Sequence, residues 1–276
     1  MFSQERIQEE IIVPILNTKN QLEKFARDKK TLFLAFWDFD GTILKGDCSE
    51  GLIENGKQVF PGLVELGILS GFSSEFRGEE GVTAFWKKYR EMEDIDKREA
   101  YIFLPRIFSG LRESQILDLA KKHFHETLQK YYFPSSIYIF EKLRQAGVES
   151  HIVSASANFF VKGIEGTLPI NPDLIYGIET EIVDGIITKK EILPVTYGEG
   201  KKDKLELVVE TILKEKKAEQ VFILAGFGNS FHTDGHFLKY IVEQNFEKGK
   251  PISVMINGGN APVEFKGLFK EVSFDL

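Results

Sequence analysis

Two carboxylates, Asp38 and Asp40, flank Phe39 in Asp38-Phe39-Asp40-Gly41-Thr42, directly after the apolar run Phe33–Trp37. In extended backbone, side chains at i and i+2 point the same way, so both acids can converge on one small group. The end of a parallel strand is where open α/β sheets bind ligands, and Gly41 lets the chain turn sharply there. Asp and Gly also end ordinary strands, so spacing alone leaves a catalytic pair and a plain turn both open. Other candidates weigh less. Gly226-Phe227-Gly228 begins a dinucleotide fingerprint, but Phe231 stands at its third glycine position. His232 and His236 share i, i+4 spacing without a following Glu or third ligand, His123 and His125 do not face each other on a helix, and Cys48 has no evident base partner and reads as packing.

The elements that must carry these residues can be read from apolar period and turn residues. Ile7, Ile11, Ile12, Ile15 and Leu16 recur at helical spacing, with Leu22 and Phe25 continuing after a polar break around Asn17; this predicts an opening helix or a pair. Phe33–Trp37, Ser150–Val153, Leu174–Ile178, Val221–Ala225 and Ile252–Ile256 are too short for helices and read as buried parallel strands. Helical patterns, such as Ile137, Phe140 and Leu143 or Leu205, Val208 and Ile212, lie between the later ones. The expected fold is α/β, a doubly wound parallel sheet. Ile182-Val183-Asp184-Gly185-Ile186-Ile187 predicts a hairpin with a type I′ turn. The gap between Asp40 and Ser150 far exceeds an ordinary crossover. Residues 48–133 are therefore expected to form an inserted helical cap domain, with 1–47 and 134–276 as the core. Aromatics in that insert, Phe72, Phe76, Phe85, Trp86 and Tyr89, are expected mostly as core.

With its neighbours in order, the Asp38 motif resembles the first motif of the haloacid dehalogenase superfamily, whose members transfer phosphoryl groups through an aspartyl nucleophile. His151-Ile152-Val153-Ser154-Ala155-Ser156 is similar to the second motif, Gly198-Glu199-Gly200-Lys201 to the third, and Gly228-Asn229-Ser230-Phe231-His232-Thr233-Asp234 to the fourth. The insert's position resembles the branch containing phosphoserine phosphatase and bacterial phosphorylcholine phosphatases. The resemblance implies Asp38 as nucleophile, Asp40 as acid and base, Ser154 and Lys201 as phosphate-binding groups, and Mg2+ held by Asp38, the Asp40 carbonyl, Asn229 and Asp234. Lys202 and Lys204 compete with Lys201, but Leu205, Val208 and Ile212 come four, seven and eleven residues after Lys201, which sets it on the buried face. Asn229 departs from the pattern, which has an acid there. An active phosphatase is expected, with a weakened phosphate-binding or regulatory protein as the alternative. Asp47, nine residues after Asp38, matches an acid that faces a substrate amino group in phosphoserine phosphatase, so it becomes a candidate partner for an amino-alcohol or choline-type phosphate. It equally suits the cap of a helix starting near Glu50.

Composition narrows the class further. The 276 residues carry 35 Lys plus Arg against 42 Asp plus Glu, a net charge of −7 that offers no footprint for nucleic acid. No segment approaches a membrane span, and Glu5, Glu9 and Glu10 do not suit an export signal. A single cysteine forms no internal disulfide, so a cytoplasmic small-molecule enzyme is expected.

Overall fold

The computed structural model describes residues 3–26 and 29–276. Its centre is a six-stranded parallel sheet in the order β10-β9-β8-β1-β4-β5. These strands are β1 (Thr31–Trp37), β4 (Glu149–Ala157), β5 (Ile175–Ile178), β8 (Gln220–Gly228), β9 (Ile252–Ile256) and β10 (Lys270–Val272). All five expected strand runs are present. The sixth, β10, reads Lys-Glu-Val; this short sheet-edge strand has no apolar run to announce it. Chain contacts divide the protein into two compact units, residues 1–43, 132–153 and 198–276 in one and residues 44–131 and 154–197 in the other.

In the first unit, β1 lies between β4 and β8, and Leu34 to Trp37 are fully buried, as expected for a strand covered on both faces. Trp37 stacks on Phe227 at 3.7 Å between ring centroids, and its Nε1 donates to Ser150 Oγ at 3.2 Å. One side chain thus ties together three adjacent strands immediately before Asp38. The N-terminal helix runs through Gln4–Ile7, Gln8–Ile12 and Val13–Phe25 without the expected break at Asn17. Gln8–Ile12 is instead a π-helical turn. Pro14, just beyond it, has no N–H to donate to the preceding turn, which accounts for the widened ladder. Thr18 and Lys19, next to the exposed Asn17, are buried, Thr18 donating to Lys250 O at 3.1 Å and Lys19 lying over the Phe33 ring, whereas Phe25 is exposed.

The second unit contains the helices Leu63–Leu69, Gly78–Glu93, Lys97–Arg106 and Glu113–Glu126 and the short helix Asn158–Val161, with an aromatic core in which Phe76, Phe85 and Tyr89 are buried and Phe85 stacks on Phe103 at 5.5 Å. Phe72 and Trp86 are only half-buried. It is not wholly helical. Strands β2 (Gly51–Glu54) and β3 (Lys57–Pro61) pair as a hairpin around Asn55-Gly56, both at positive φ. That dipeptide is a strong hairpin signal, and the helical reading of the insert passes over it. No helix begins near Glu50. The hairpin of β6 (Thr180–Val183) and β7 (Ile186–Glu191) has the expected two-residue turn, with Asp184 and Gly185 both at positive φ. It is joined to the insert by main-chain bonds, Gly110 N to Ile187 O at 2.8 Å and Ile187 N to Leu111 O at 2.9 Å. No helix of the described residues is long and apolar enough to cross a membrane.

Candidate active site

Asp38 comes directly after the last residue of β1, and its N–H donates to Phe227 O at 2.8 Å, extending the β1–β8 ladder into the site. The chain then turns at Gly41, whose φ is +76°. A Cβ at Gly41 would lie 1.8 Å from Asn229 Nδ2, so the turn has both a backbone and a steric need for glycine. Thr42, placed by this turn, donates from Oγ1 to Asp38 Oδ2 at 2.9 Å, while its carbonyl accepts from Ser136 Oγ at 2.6 Å. Sequence reasoning assigns Thr42 no role. The signal available is a hydroxyl four residues after the acid, across a glycine turn.

Lys201 lies in the first turn of the helix Glu199–Lys214 and is fully buried. Its Nζ donates to Asp38 Oδ1 and to Asp234 Oδ1, each at 2.6 Å. Two of its three ammonium protons are thereby committed. Leu205, Val208 and Ile212 are buried along the same face. Lys202 turns outward to Asp203 and Glu206 at 3.5 and 3.6 Å, and Lys204 is buried on the same helix. Asp234 sits in the first turn of the helix Phe231–Val242. Its Oδ2 accepts from the N–H groups of Asn229 and Ser230 at 2.9 and 3.0 Å, and its Oδ1 also accepts from Thr233 Oγ1 at 3.1 Å. With four donors on two oxygens, this carboxylate orients Lys201 and the loop after β8 rather than presenting a lone pair to a cation.

Two buried carboxylates therefore share one buried ammonium. Asp38 is pushed up to about 7, first by burial and then by the charge of Asp234, with Lys201 and Thr42 opposing. Burial alone would lower Lys201, but Asp234 and Asp38 outweigh it and hold the lysine above its ordinary value. The deficit is one positive charge among oxygen donors, which suits a hard divalent cation. Asp38 and the half-buried Asp40 supply carboxylates at this turn, and the Asn229 carboxamide lies against Gly41, its Nδ2 nearest. A cavity of about 440 Å³ opens beside Asn229 and is lined also by Ser230, His232, His236, Asn260 and Glu264. Both histidines are exposed, and His236 meets Phe265 edge-on at 5.7 Å.

Ser154 and Asp47 belong to the second unit. Ser154 is fully buried on β4, where its Oγ accepts from Ser156 N at 3.0 Å and its carbonyl accepts from Thr196 Oγ1 at 2.6 Å. Asp47 closes a turn, its Oδ1 accepting from Ser49 N at 2.7 Å and Glu50 N at 2.9 Å. That turn leads into strand β2, not into a helix. Cys48 and His123 are buried, His123 Nε2 donating to Pro61 O at 2.9 Å.

Solved structures share this fold at low sequence identity. A protein with unknown function from Bordetella pertussis Tohama I is 13% identical with a TM-score of 0.63, over 88% of this chain and 98% of that one. A conserved functionally unknown protein from Anaerococcus prevotii DSM 20548 is 15% identical with a TM-score of 0.61, over 96% and 94% of the two chains. A HAD family hydrolase from Salmonella enterica subsp. enterica serovar Typhi is 13% identical with a TM-score of 0.52, over 98% and 77%. Comparison with curated proteins finds no sequence match. The model of the haloacid dehalogenase-like hydrolases matches residues 35–230, a span that takes in Asp38, Asp40, Ser154, Lys201 and Asn229, and the chain belongs to that family.

Proposed function

We propose that this hydrolase is a Mg2+-dependent phosphomonoesterase that works through an aspartyl-phosphate on Asp38. The observation that carries the proposal is the buried Lys201 ammonium held between Asp38 and Asp234, beside the turn that presents Asp40. Asp38 attacks phosphorus and displaces the alcohol, so that one difficult displacement becomes two easier ones. Asp40 gives a proton to the leaving oxygen and later takes one from the water that attacks the aspartyl-phosphate. Lys201, with a proton to spare, and Ser154 are the groups for the phosphoryl oxygens. Asp234 keeps Lys201 aimed and charged. When bound, Mg2+ would be held by Asp38, the main-chain carbonyl of Asp40 and Asn229, with Asp234 supporting from behind, and would offset charge building on the phosphoryl oxygens. Residues 48–133 serve as the cap that selects the ester. The substrate is a small phosphorylated metabolite of the amino-alcohol or choline type, and the one buried cysteine suits a reducing, cytoplasmic setting.

Turnover of an aryl phosphate tests this. Hydrolysis is expected with Mg2+ and not after chelation. Asp38→Asn is expected to fold and to lose activity by about a thousandfold or more. A second reading rests on Asn229, an amide that adds no charge: a weakened protein that binds phosphate without hydrolysing it. Phosphate binding without Mg2+-stimulated turnover would decide for that reading.

A further inference from the structure

The chain re-enters the first unit at Tyr132, and the segment that follows holds the turn carrying Asp38 at separate points. Tyr132 meets Phe39 edge-on at 6.2 Å between ring centroids, Phe133 N donates to Ile43 O at 2.8 Å, and Ser136 Oγ donates to Thr42 O at 2.6 Å. Ser136 lies in the first turn of the helix Pro134–Gln145, which opens on a proline whose fixed φ suits that position. Its side chain is fully buried, as is that of Thr42. The phosphatase reading gives Ser136 no part.

The backbone on both sides of Thr42 is pinned. Before it, Thr42 N donates to Phe39 O at 3.2 Å; after it, Ile43 N donates to the same oxygen at 2.8 Å, while Ser136 holds the carbonyl of that same peptide unit. Fixing both peptide planes fixes the direction of the Thr42 Cα–Cβ bond, and a β-branched side chain then has few χ1 choices left. Its Oγ1 meets Asp38 Oδ2 at 2.9 Å, and Lys201 Nζ takes Oδ1 at 2.6 Å. A donor on each oxygen sets the plane of the carboxylate. Without the Ser136 hydroxyl, Thr42 O would lose this buried donor, and the peptide unit would turn to find another.

We propose that Ser136 is a positioning residue for the nucleophile: through the Thr42 carbonyl it keeps the Thr42 hydroxyl on Asp38 and the carboxylate aimed for attack. The effect on rate rests on the phosphatase reading. In-line attack tolerates little displacement, since a misplacement of about 1 Å can cost roughly a hundredfold. A serine that only satisfied a buried carbonyl would matter equally whether or not residue 42 carried a hydroxyl. That difference separates the two roles.

The test measures para-nitrophenyl phosphate hydrolysis at saturating Mg2+ by the full chain, by Ser136→Ala, by Thr42→Val and by the two substitutions together. Ser136→Ala is expected to lower kcat about tenfold or more with KM kept within about twofold. Once Thr42→Val is present, Ser136→Ala is expected to add no further loss, because the group it acts through is gone. An unchanged kcat in Ser136→Ala, or the same loss in both backgrounds, overturns the positioning role. Hydrogen exchange supplies a readout that needs no turnover: the Thr42 and Ile43 amides are expected to exchange faster in Ser136→Ala while β1 does not change. Unchanged exchange at those amides overturns the proposal at any activity. If the wild type hydrolyses no ester but exchange quickens in Ser136→Ala, the hold of Ser136 on Thr42 stands and the phosphatase reading alone is removed.

Discussion

Removing the ammonium from between Asp38 and Asp234 would leave two buried carboxylates facing each other. Lys201→Met keeps the length of the chain and removes the charge, so it is expected to cost about 3–5 kcal/mol of stability, as for other buried pairs broken on one side. Asp38→Asn leaves Lys201 paired with Asp234 and costs much less; urea unfolding of the two variants in chelator compares them, and equal losses would show that the lysine holds no buried charge balance. Asn229→Asp reads the same balance from the other side. The new carboxylate adds to the excess negative charge, so it is expected to lower stability in chelator yet tighten Mg2+ on the order of tenfold, because charged oxygen ligands favour the ion. Unchanged Mg2+ affinity by calorimetry would place Asn229 away from the metal. Lys201 is legible in the sequence because Leu205, Val208 and Ile212 fix which face of its helix is buried. The four-donor arrangement at Asp234 is not legible, since it depends on two N–H groups of a loop and a lysine 33 residues away. Thr42 is hidden for a similar reason: a turn hydroxyl has many possible acceptors until the fold brings one to it.

Local dipeptide chemistry decides how far the elements can be read. Asp184-Gly185 and Asn55-Gly56 both make two-residue turns at positive φ, one flanked by clear apolar pairs and the other by Ile53-Glu54 and Lys57-Gln58, which lack that alternation. Strand β3 is nevertheless fastened, through Pro61 O, to His123 on the helix Glu113–Glu126. His123 is 7% exposed, and burial lowers it below its ordinary 6.5, against the opposing pull of the Pro61 carbonyl and Glu126. With the folded value below the unfolded one, the native state binds fewer protons. The contribution is therefore complete above pH 6.5 and is lost as pH falls from there through the folded value. Stability measured by urea unfolding is expected to fall across that window, and His123→Gln, which keeps a donor for Pro61 O but does not titrate, is expected to flatten the fall. An unchanged slope would mean that another group governs it.

At the scale of the whole chain, the parallel sheet is readable because each buried strand is a nearly continuous apolar run, but the limits of the inserted unit are not. Residues 154–197 cluster with residues 44–131 although they come after most of β4 in sequence. The reason lies in the backbone. The β6–β7 hairpin exchanges main-chain bonds with Gly110, Leu111 and Glu113, and Arg106 donates from Nε to Lys189 O at 3.0 Å and pairs with Glu191. Such bonds link segments far apart in the chain and leave no periodic trace in either. Backbone groups that satisfy one another this way open together, because parting them exposes unpaired donors and acceptors on both sides. Hydrogen exchange is therefore expected to show residues 180–191 acquiring deuterium in step with residues 106–113, and Arg106→Ala is expected to speed exchange in both segments while leaving the helix Glu199–Lys214 unchanged. If the hairpin instead exchanged in step with Glu199–Lys214 and ignored Arg106→Ala, it would belong energetically to the sheet unit, and the insert would have to be stable from residues 44–131 alone.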